Sequence, residues 1–296
     1  MKIFITGAAG MLANDVIPEL KRNNHDVYSL DINISSKGMH YLDIIKYEDV
    51  KKEVNKYLPD IIFHFAAETD VDLCEKEPKH AYRVNTLGTE NIALICQEYN
   101  LPLLYISSGA IFSGEKIGMY TEFDLPKPVN VYGNSKLQGE IVIKNLLTKY
   151  FIVRAGWMVG GWEIDKKFVF KIVKQIRDGK KELNVVNDKF GSPTFTVDFA
   201  KNILPLLNMK RYGLYHMANK GTCSRFDIAL KIIEYMGLEN KIKVNPVASD
   251  QFPLLAPRGR SEMIENYKLG LMGLDNMPHW HESLKVYIES NAKNQQ

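Results

Sequence analysis

Tyr132 and Lys136 stand four residues apart in Val131-Tyr132-Gly133-Asn134-Ser135-Lys136, within a stretch whose pattern is helical. That spacing puts a phenol and an ammonium on one helix face. An isolated phenol, with a pKa of about 10, is a poor acid or base at neutral pH, but a neighbouring cation favours its anion and lowers that value. A pair of this kind can pass a proton to a carbonyl oxygen. Upstream, the apolar run Leu103-Leu104-Tyr105-Ile106 closes on Ser107-Ser108, which sets a hydroxyl at the end of a strand. Tyrosine and lysine alone would equally suit an exposed helix with one aromatic on its buried edge, so the surrounding elements decide.

The first of those elements lies at the N-terminus. Lys2-Ile3-Phe4-Ile5-Thr6 is a short β-rich run, followed by Gly7-Ala8-Ala9-Gly10-Met11-Leu12-Ala13 and then by Val16, Ile17 and Leu20 at helical spacing. Strand, glycine turn and helix in this order suit a dinucleotide: one glycine makes the turn, one lets backbone approach the pyrophosphate, and a small residue lets the helix pack on the strand. Gly7, Gly10 and Ala13 fit these roles. Met11 and Leu12 open the helix whose free N–H groups and positive end would face the phosphates. Val27-Tyr28-Ser29-Leu30-Asp31 is a second strand ending in an acid, about 20 residues past the turn, where a carboxylate hydrogen-bonds the adenosine ribose.

The chain has 296 residues, room for one large domain or two, and its 45% hydrophobic and 25% charged content is ordinary for a globular protein. A net charge of +3 is too small to point to nucleic acid or an acidic membrane as a partner. The opening apolar run stops at Thr6, too short for a signal peptide, and no stretch is long enough to span a bilayer, so a cytoplasmic protein is expected. Cys74, Cys96 and Cys223 are odd in number and scattered, which argues for reduced thiols rather than a disulfide framework or a zinc site. His279-Trp280-His281 has no acid or thiol cluster beside it, so no metal is expected.

Strands and helices alternate along the chain. Ile61-Ile62-Phe63-His64-Phe65 is a continuous apolar run suited to a strand buried on both faces, with His64 as a core histidine. Residues 78–99 read as one long helix, residues 131–150 as the helix bearing Tyr132 and Lys136, and Phe151-Ile152-Val153-Arg154 as a further strand. The alternation predicts an α/β fold, a doubly wound parallel sheet of the Rossmann type, with ligands beyond the carboxyl ends of its strands. Gly7, Asp31, Ala66 and Ser108 all fall at such ends. The expected division is a nucleotide-binding domain over 1–155 and a smaller interleaved substrate lobe over 156–296, with 191–217 returning to the first domain. Residues 291–296 read as a frayed tail.

These residues resemble those of the extended short-chain dehydrogenases/reductases, and within them the dTDP-4-dehydrorhamnose reductase family. The resemblance spans nearly the whole length. It rests on residues 6–13, Ala66-Ala67, Val84-Asn85, Ser107-Ser108 with Phe112 and Gly114, Tyr132 to Lys136, Arg154 with Trp157, Gly191-Ser192-Pro193-Thr194-Phe195 and Gly213-Leu214-Tyr215-His216. It implies that Ser108 hydrogen-bonds a substrate carbonyl, that Tyr132 donates the proton, and that Lys136 holds the ribose and acidifies the tyrosine. It also implies that Ala66 and Ala67 leave room for cofactor backbone and that Asp43 with Ile44 flanks adenine. The implied cofactor is NAD(P)H. Asp31, with no arginine immediately beside it, would repel a 2′-phosphate, so NADH is expected to be preferred or equal.

The chain departs from the family around the substrate. Ser108-Gly109-Ala110 stands where the reductases carry Thr-Asp-Tyr, which is expected to enlarge the pocket at Gly109. The same residues lack the Asp-Glu pair of the related dehydratases. Glu68 replaces an aromatic or histidine, and Arg258-Gly259-Arg260-Ser261 only loosely matches an Arg-Pro segment. Trp157 is a candidate sugar or base platform, and Arg258 or Arg260 a candidate diphosphate clamp because a guanidinium fork matches phosphate oxygens. The implied activity is reduction of a nucleotide-diphospho-4-keto-6-deoxy sugar. A nucleotide-sugar epimerase, or a non-catalytic subunit resembling the regulatory partner of methionine adenosyltransferase, stays open, as does a homodimer.

Overall fold

A computed structural model describes residues 1–293 apart from Ser35 and Lys166. The chain begins β1 (Lys2–Thr6), α1 (Met11–Arg22), β2 (Asp26–Asp31), β3 (Met39–Tyr41), α2 (Tyr47–Tyr57) and β4 (Ile61–His64). After α3 (Val71–Lys76) and α4 (Pro78–Tyr82), a π-helical turn at Arg83–Leu87 runs straight into α5 (Gly88–Glu98). The helix expected over residues 78–99 is therefore continuous but carries a π turn at Asn85, a distortion frequent at functional sites. Next come β5 (Leu103–Ser108), α6 (Val131–Leu146) and β6 (Tyr150–Ala155).

The second half is more broken: β7 (Trp157–Val159), α7 (Phe168–Arg177), β8 (Glu182–Val186), β9 (Phe190–Gly191), β10 (Pro193–Phe195), α8 (Thr196–Asn208) and β11 (Gly213–His216). It closes with β12 (Cys223–Ser224), α9 (Arg225–Tyr235), β13 (Lys243–Val247), β14 (Ser261–Glu262), α10 (Tyr267–Leu271) and α11 (Trp280–Lys293). Asn291 is buried at the end of α11 rather than frayed. Residues 294–296 lie outside the described part.

Seven strands form one parallel sheet in the order β11-β6-β5-β4-β1-β2-β3. Pairing puts Thr6 opposite His64 and Ser108 opposite Ala155, so these carboxyl ends are aligned along one edge. The order reverses between β1 and β4, which opens a crevice there. Side chains alternate across the sheet. Ile3, Ile5 and Phe63 pack under α1 and α8 with Val16, Phe199 and Ile203. Phe4 and Ile62 pack on the other face with Val50, Ile92 and Ile143. All of these are buried, each contributing about 1.5–3 kcal/mol. β4 is buried at every residue, as a strand covered on both faces must be. A separate core joins α7, α9 and α11 through Ile172, Ile232 and Leu284. No helix among the described residues is long and apolar enough to cross a membrane.

Candidate active site

The chain leaves β1 through Gly7, whose φ of +73° is left-handed. A Cβ there would also lie 2.6 Å from the Phe65 carbonyl carbon, so only glycine lets the loop lie on the end of β4. Gly10 N–H donates to Gly7 O at 3.1 Å. No side chain caps α1 and no acid occupies its first turn, which leaves its first N–H groups and positive end to a ligand. This cradle fits a pyrophosphate. Leu12 is in the core, so it can offer its N–H but not its side chain, while Met11 lies against Gly161. Ala66 and Ala67 are partly exposed beyond β4, beside Gly7.

Asp31 does more than its position in the sequence implies. Its Oδ2 accepts from Ala9 N at 3.0 Å and its Oδ1 from Asn33 N at 2.8 Å, tying the glycine loop to the end of β2. Each oxygen keeps a lone pair for a ribose hydroxyl. Asp43 accepts from Ile45 N at 3.1 Å. Ile44, expected beside it as an apolar flank for adenine, instead turns its side chain into the core, where a Cβ on Gly88 would lie 2.6 Å from its Cδ1.

α6 is placed by two contacts. Asn130 caps it, with Oδ1 accepting from Gly133 N at 2.8 Å and Nδ2 donating to Pro257 O at 2.9 Å. Gly133 lies so close to the turn after β5 that a Cβ would run into the Ala110 carbonyl. The approach brings Tyr132 beside Ser108. Behind them runs a chain of hydrogen bonds: Ser135 Oγ donates to Tyr132 O at 2.8 Å and accepts from Asn85 Nδ2 at 3.0 Å. Thr89 Oγ1 donates to Asn85 O at 2.7 Å and pairs with His64 Nε2 at 3.0 Å, while His64 Nδ1 pairs with Thr6 Oγ1 at 2.7 Å. Thr89 has spent its proton, so the network assigns the ring proton to Nε2. Burial lowers the His64 pKa to about 3, with Lys136 adding to the shift, and keeps the ring neutral.

Burial also governs the reacting groups. It pushes Tyr132 up to about 12, although the Ser108 hydroxyl beside it pulls the other way. It lowers Lys136 to about 7 against the opposing charge of Glu140. The lysine is 4% exposed and its Nζ lies 4.1 Å over the Tyr105 ring. The acidification expected from Lys136 therefore does not set the state of Tyr132 in the chain alone: desolvation is the largest influence on the phenol, which stays protonated at neutral pH.

On the substrate side, Gly109 lies beneath Glu262 and Ile264 with room for a Cβ at ordinary contact distance. The residue is buried, and a Cβ on it would meet Glu262 O at 3.4 Å and Ile264 Cγ2 at 3.5 Å. Trp157 is partly buried against Gly191, and its Nε1 donates to Glu262 Oε2 at 3.2 Å. Arg258, the expected diphosphate clamp, is engaged elsewhere: Nη2 lies 3.2 Å from Asp72 Oδ1 and Nη1 donates to Ala256 O at 2.8 Å. Glu262 and Arg225, whose guanidinium covers the Trp157 ring, escape a reading of the sequence. β14 has no periodicity to read at two residues, and the Trp157–Glu262 contact joins positions 105 apart.

A parallel sheet with a glycine turn at its switch point, and Ser108, Tyr132 and Lys136 at its carboxyl edge, defines a class: the extended short-chain dehydrogenases/reductases. A family model described as RmlD substrate binding domain matches residues 1–293. Spore coat polysaccharide biosynthesis protein SpsK of Bacillus subtilis is 32% identical over 291 residues, covering 98% of this chain and 98% of its own. A dTDP-4-dehydrorhamnose reductase structure from Clostridium acetobutylicum matches with a TM-score of 0.91 at 36% identity, over 99% of this chain and 100% of that one. Another, from Bacillus anthracis in complex with NADP, matches with a TM-score of 0.90 at 37% identity, over 97% and 99%. The chain belongs to this family, the dTDP-4-dehydrorhamnose reductases.

Proposed function

We propose that the chain reduces the 4-keto group of a nucleotide-diphospho-6-deoxy sugar, with Ser108, Tyr132 and Lys136 as its catalytic residues. The observation that carries the reading is the Tyr132 phenol, held protonated by burial beside the Ser108 hydroxyl. A dinucleotide would lie on Gly7, Gly10 and the start of α1, its adenosine ribose on Asp31, and its nicotinamide, when bound, would supply hydride. As negative charge grows on the ketone oxygen, Ser108 stabilises it by hydrogen bonding and Tyr132 gives up its proton. A raised pKa makes the phenol a weaker acid but keeps its proton in place at neutral pH, ready to be given up as charge grows on the ketone oxygen. Lys136 would meet the ribose, whose binding would return the ammonium to its charged form and assist loss of the tyrosine proton.

NADH should serve at least as well as NADPH, because Asp31 would repel a 2′-phosphate. Residues 1–155 with 191–217 would form the nucleotide unit and the remainder the sugar-nucleotide lobe. All three cysteines are buried and unpaired, which supports a reducing compartment such as the cytoplasm. The test is a steady-state assay with NADH and NADPH against a panel of nucleotide-diphospho-4-keto-6-deoxy sugars, the dTDP forms included. Expected is a kcat/KM within the ordinary range of about 10⁴–10⁸ M⁻¹s⁻¹ for one member. A protein that binds NADH yet oxidises it with none of them would favour a non-catalytic role.

A further inference from the structure

The sugar-nucleotide reading needs a cation for the substrate's negative charge, and Arg258 is held by Asp72 and Ala256. Arg225 is not held in this way. It is the first residue of α9, and its Cζ lies 3.6 Å from the Trp157 ring centroid and 5.1 Å from that of Phe168. Among the described residues its guanidinium donates no hydrogen bond and stands in no ion pair. Burial lowers its pKa only to about 10, opposed by Glu262 and Asp165 at longer range, so it is charged at neutral pH. Lys167 feels the charges of Asp165, Arg225 and Glu262 and belongs to the same cluster.

An unpaired, partly buried guanidinium costs solvation that the Trp157 stack recovers only in part. Stacking uses the face of the group and leaves its in-plane donors, the fork that matches an oxyanion, unspent. The platform beneath it is fixed. Trp157 is hydrogen-bonded to Glu262, and Gly191 is so close under the ring that a Cβ would lie 2.6 Å from Cζ2. The Glu262 carbonyl in turn covers Gly109, next to Ser108, and its charge is felt at Tyr132. Burial raises the pKa of both Glu262 and Asp165, which weakens the carboxylates as competitors for the cations.

We propose that Arg225, seated on Trp157 with Lys167 beside it, is the anion-binding residue of the substrate pocket and takes a phosphate or carboxylate oxygen of the substrate. The inference rests on the sugar-nucleotide reading for its ligand. Two sources share this chemistry, the diphosphate itself and a C6 carboxylate, which a uronate carries and a 6-deoxy hexose does not. Calorimetric titration of the NADH-saturated chain with dTDP, UDP-glucose and UDP-glucuronate separates them, using wild type, Arg225→Met, Arg225→Lys and Arg258→Met.

If the diphosphate is the ligand, Arg225→Met weakens all three probes about tenfold to hundredfold, the worth of one charged hydrogen-bonding group. If it is a carboxylate, only UDP-glucuronate is weakened. Arg225→Lys keeps the charge without the fork and should lose less, which preserves the test should the methionine variant fail to fold. Arg225 variants that bind every probe within about threefold of wild type, or an Arg258→Met that loses binding where Arg225→Met does not, overturn the proposal. Should wild type bind none of the three, the sugar-nucleotide reading fails. Inorganic pyrophosphate then decides this inference separately: binding lost in Arg225→Met supports it, and binding unchanged or absent in wild type overturns it.

Discussion

Lys136 shows at the scale of one residue how function and stability oppose each other. Its folded pKa of about 7 lies below the ordinary lysine value of 10.5. The unfolded chain therefore holds the proton more tightly, and stability is lost as the pH falls from about 10.5 to about 7, with the full penalty below that. Lys136→Met removes a buried charge that Glu140 and the Tyr105 ring compensate only in part and should stabilise the cofactor-free chain at neutral pH by about 1–4 kcal/mol in urea unfolding. The same variant should lose turnover and NADH affinity, because the ammonium is proposed to serve ribose and phenol together. A lower unfolding midpoint would show that Lys136 is held by more than its burial suggests. Tyr132→Phe isolates the other half of the pair. It removes one oxygen and leaves Gly7, Gly10 and Asp31 untouched, so NADH should bind nearly as before while kcat falls about 10²- to 10⁴-fold. Full activity in that variant would remove Tyr132 from the mechanism.

At the scale of elements, two glycines set the site by letting α6 approach its neighbours. Gly133 abuts the Ala110 carbonyl, and a Cβ on Gly139 would lie 2.6 Å from the Tyr105 hydroxyl. Gly133→Ala should force α6 away from the turn after β5, costing about 1–3 kcal/mol of stability through overpacking. Displacing Tyr132 from Ser108 by even about 1 Å should lower kcat about 10²-fold. A Gly133→Ala enzyme with unchanged kcat and melting temperature would show that the turn yields instead. The sheet was legible in the sequence because its strands are long, apolar and bounded by turns: Ile61–His64 and Leu103–Ser108 announce themselves. So did Gly7 and the Tyr132–Lys136 spacing, which are local patterns. The π turn at Asn85, the two-residue β9, β12 and β14, and α11 carried no such pattern. Nor could spacing reveal that Ile44 turns inward, that Asp72 holds Arg258, or that desolvation is the largest influence at Tyr132. Those outcomes depend on which distant segments meet.

At the scale of the whole molecule, two neutral histidines knit the sheet to what surrounds it. His64 joins β1 to α5 through Thr6 and Thr89. His216, at the sheet's β11 edge, lies 3.5 Å from Arg154 and pairs through Nδ1 with Glu265 O at 3.0 Å, while its N–H donates to Glu122 at 2.9 Å. Burial lowers both rings to about 3, and a neighbouring cation, Lys136 for His64 and Arg154 for His216, adds to the shift. An unfolded chain titrates its histidines near the ordinary value of about 6.5. Between those values these two rings bind two more protons in the unfolded chain than in the folded one, so their contribution to stability is fully present above about pH 6.5 and is lost as the pH falls toward about 3. Two protons correspond to roughly 3 kcal/mol per pH unit. Urea unfolding followed from about pH 7 to about pH 4.5 should show that slope, and replacing His216 by asparagine should roughly halve it. A slope of half that size would mean that one ring is charged in the folded protein, and stability that stays level down to about pH 5 that both are, in which case the hydrogen-bond network through His64 has both ring nitrogens as donors.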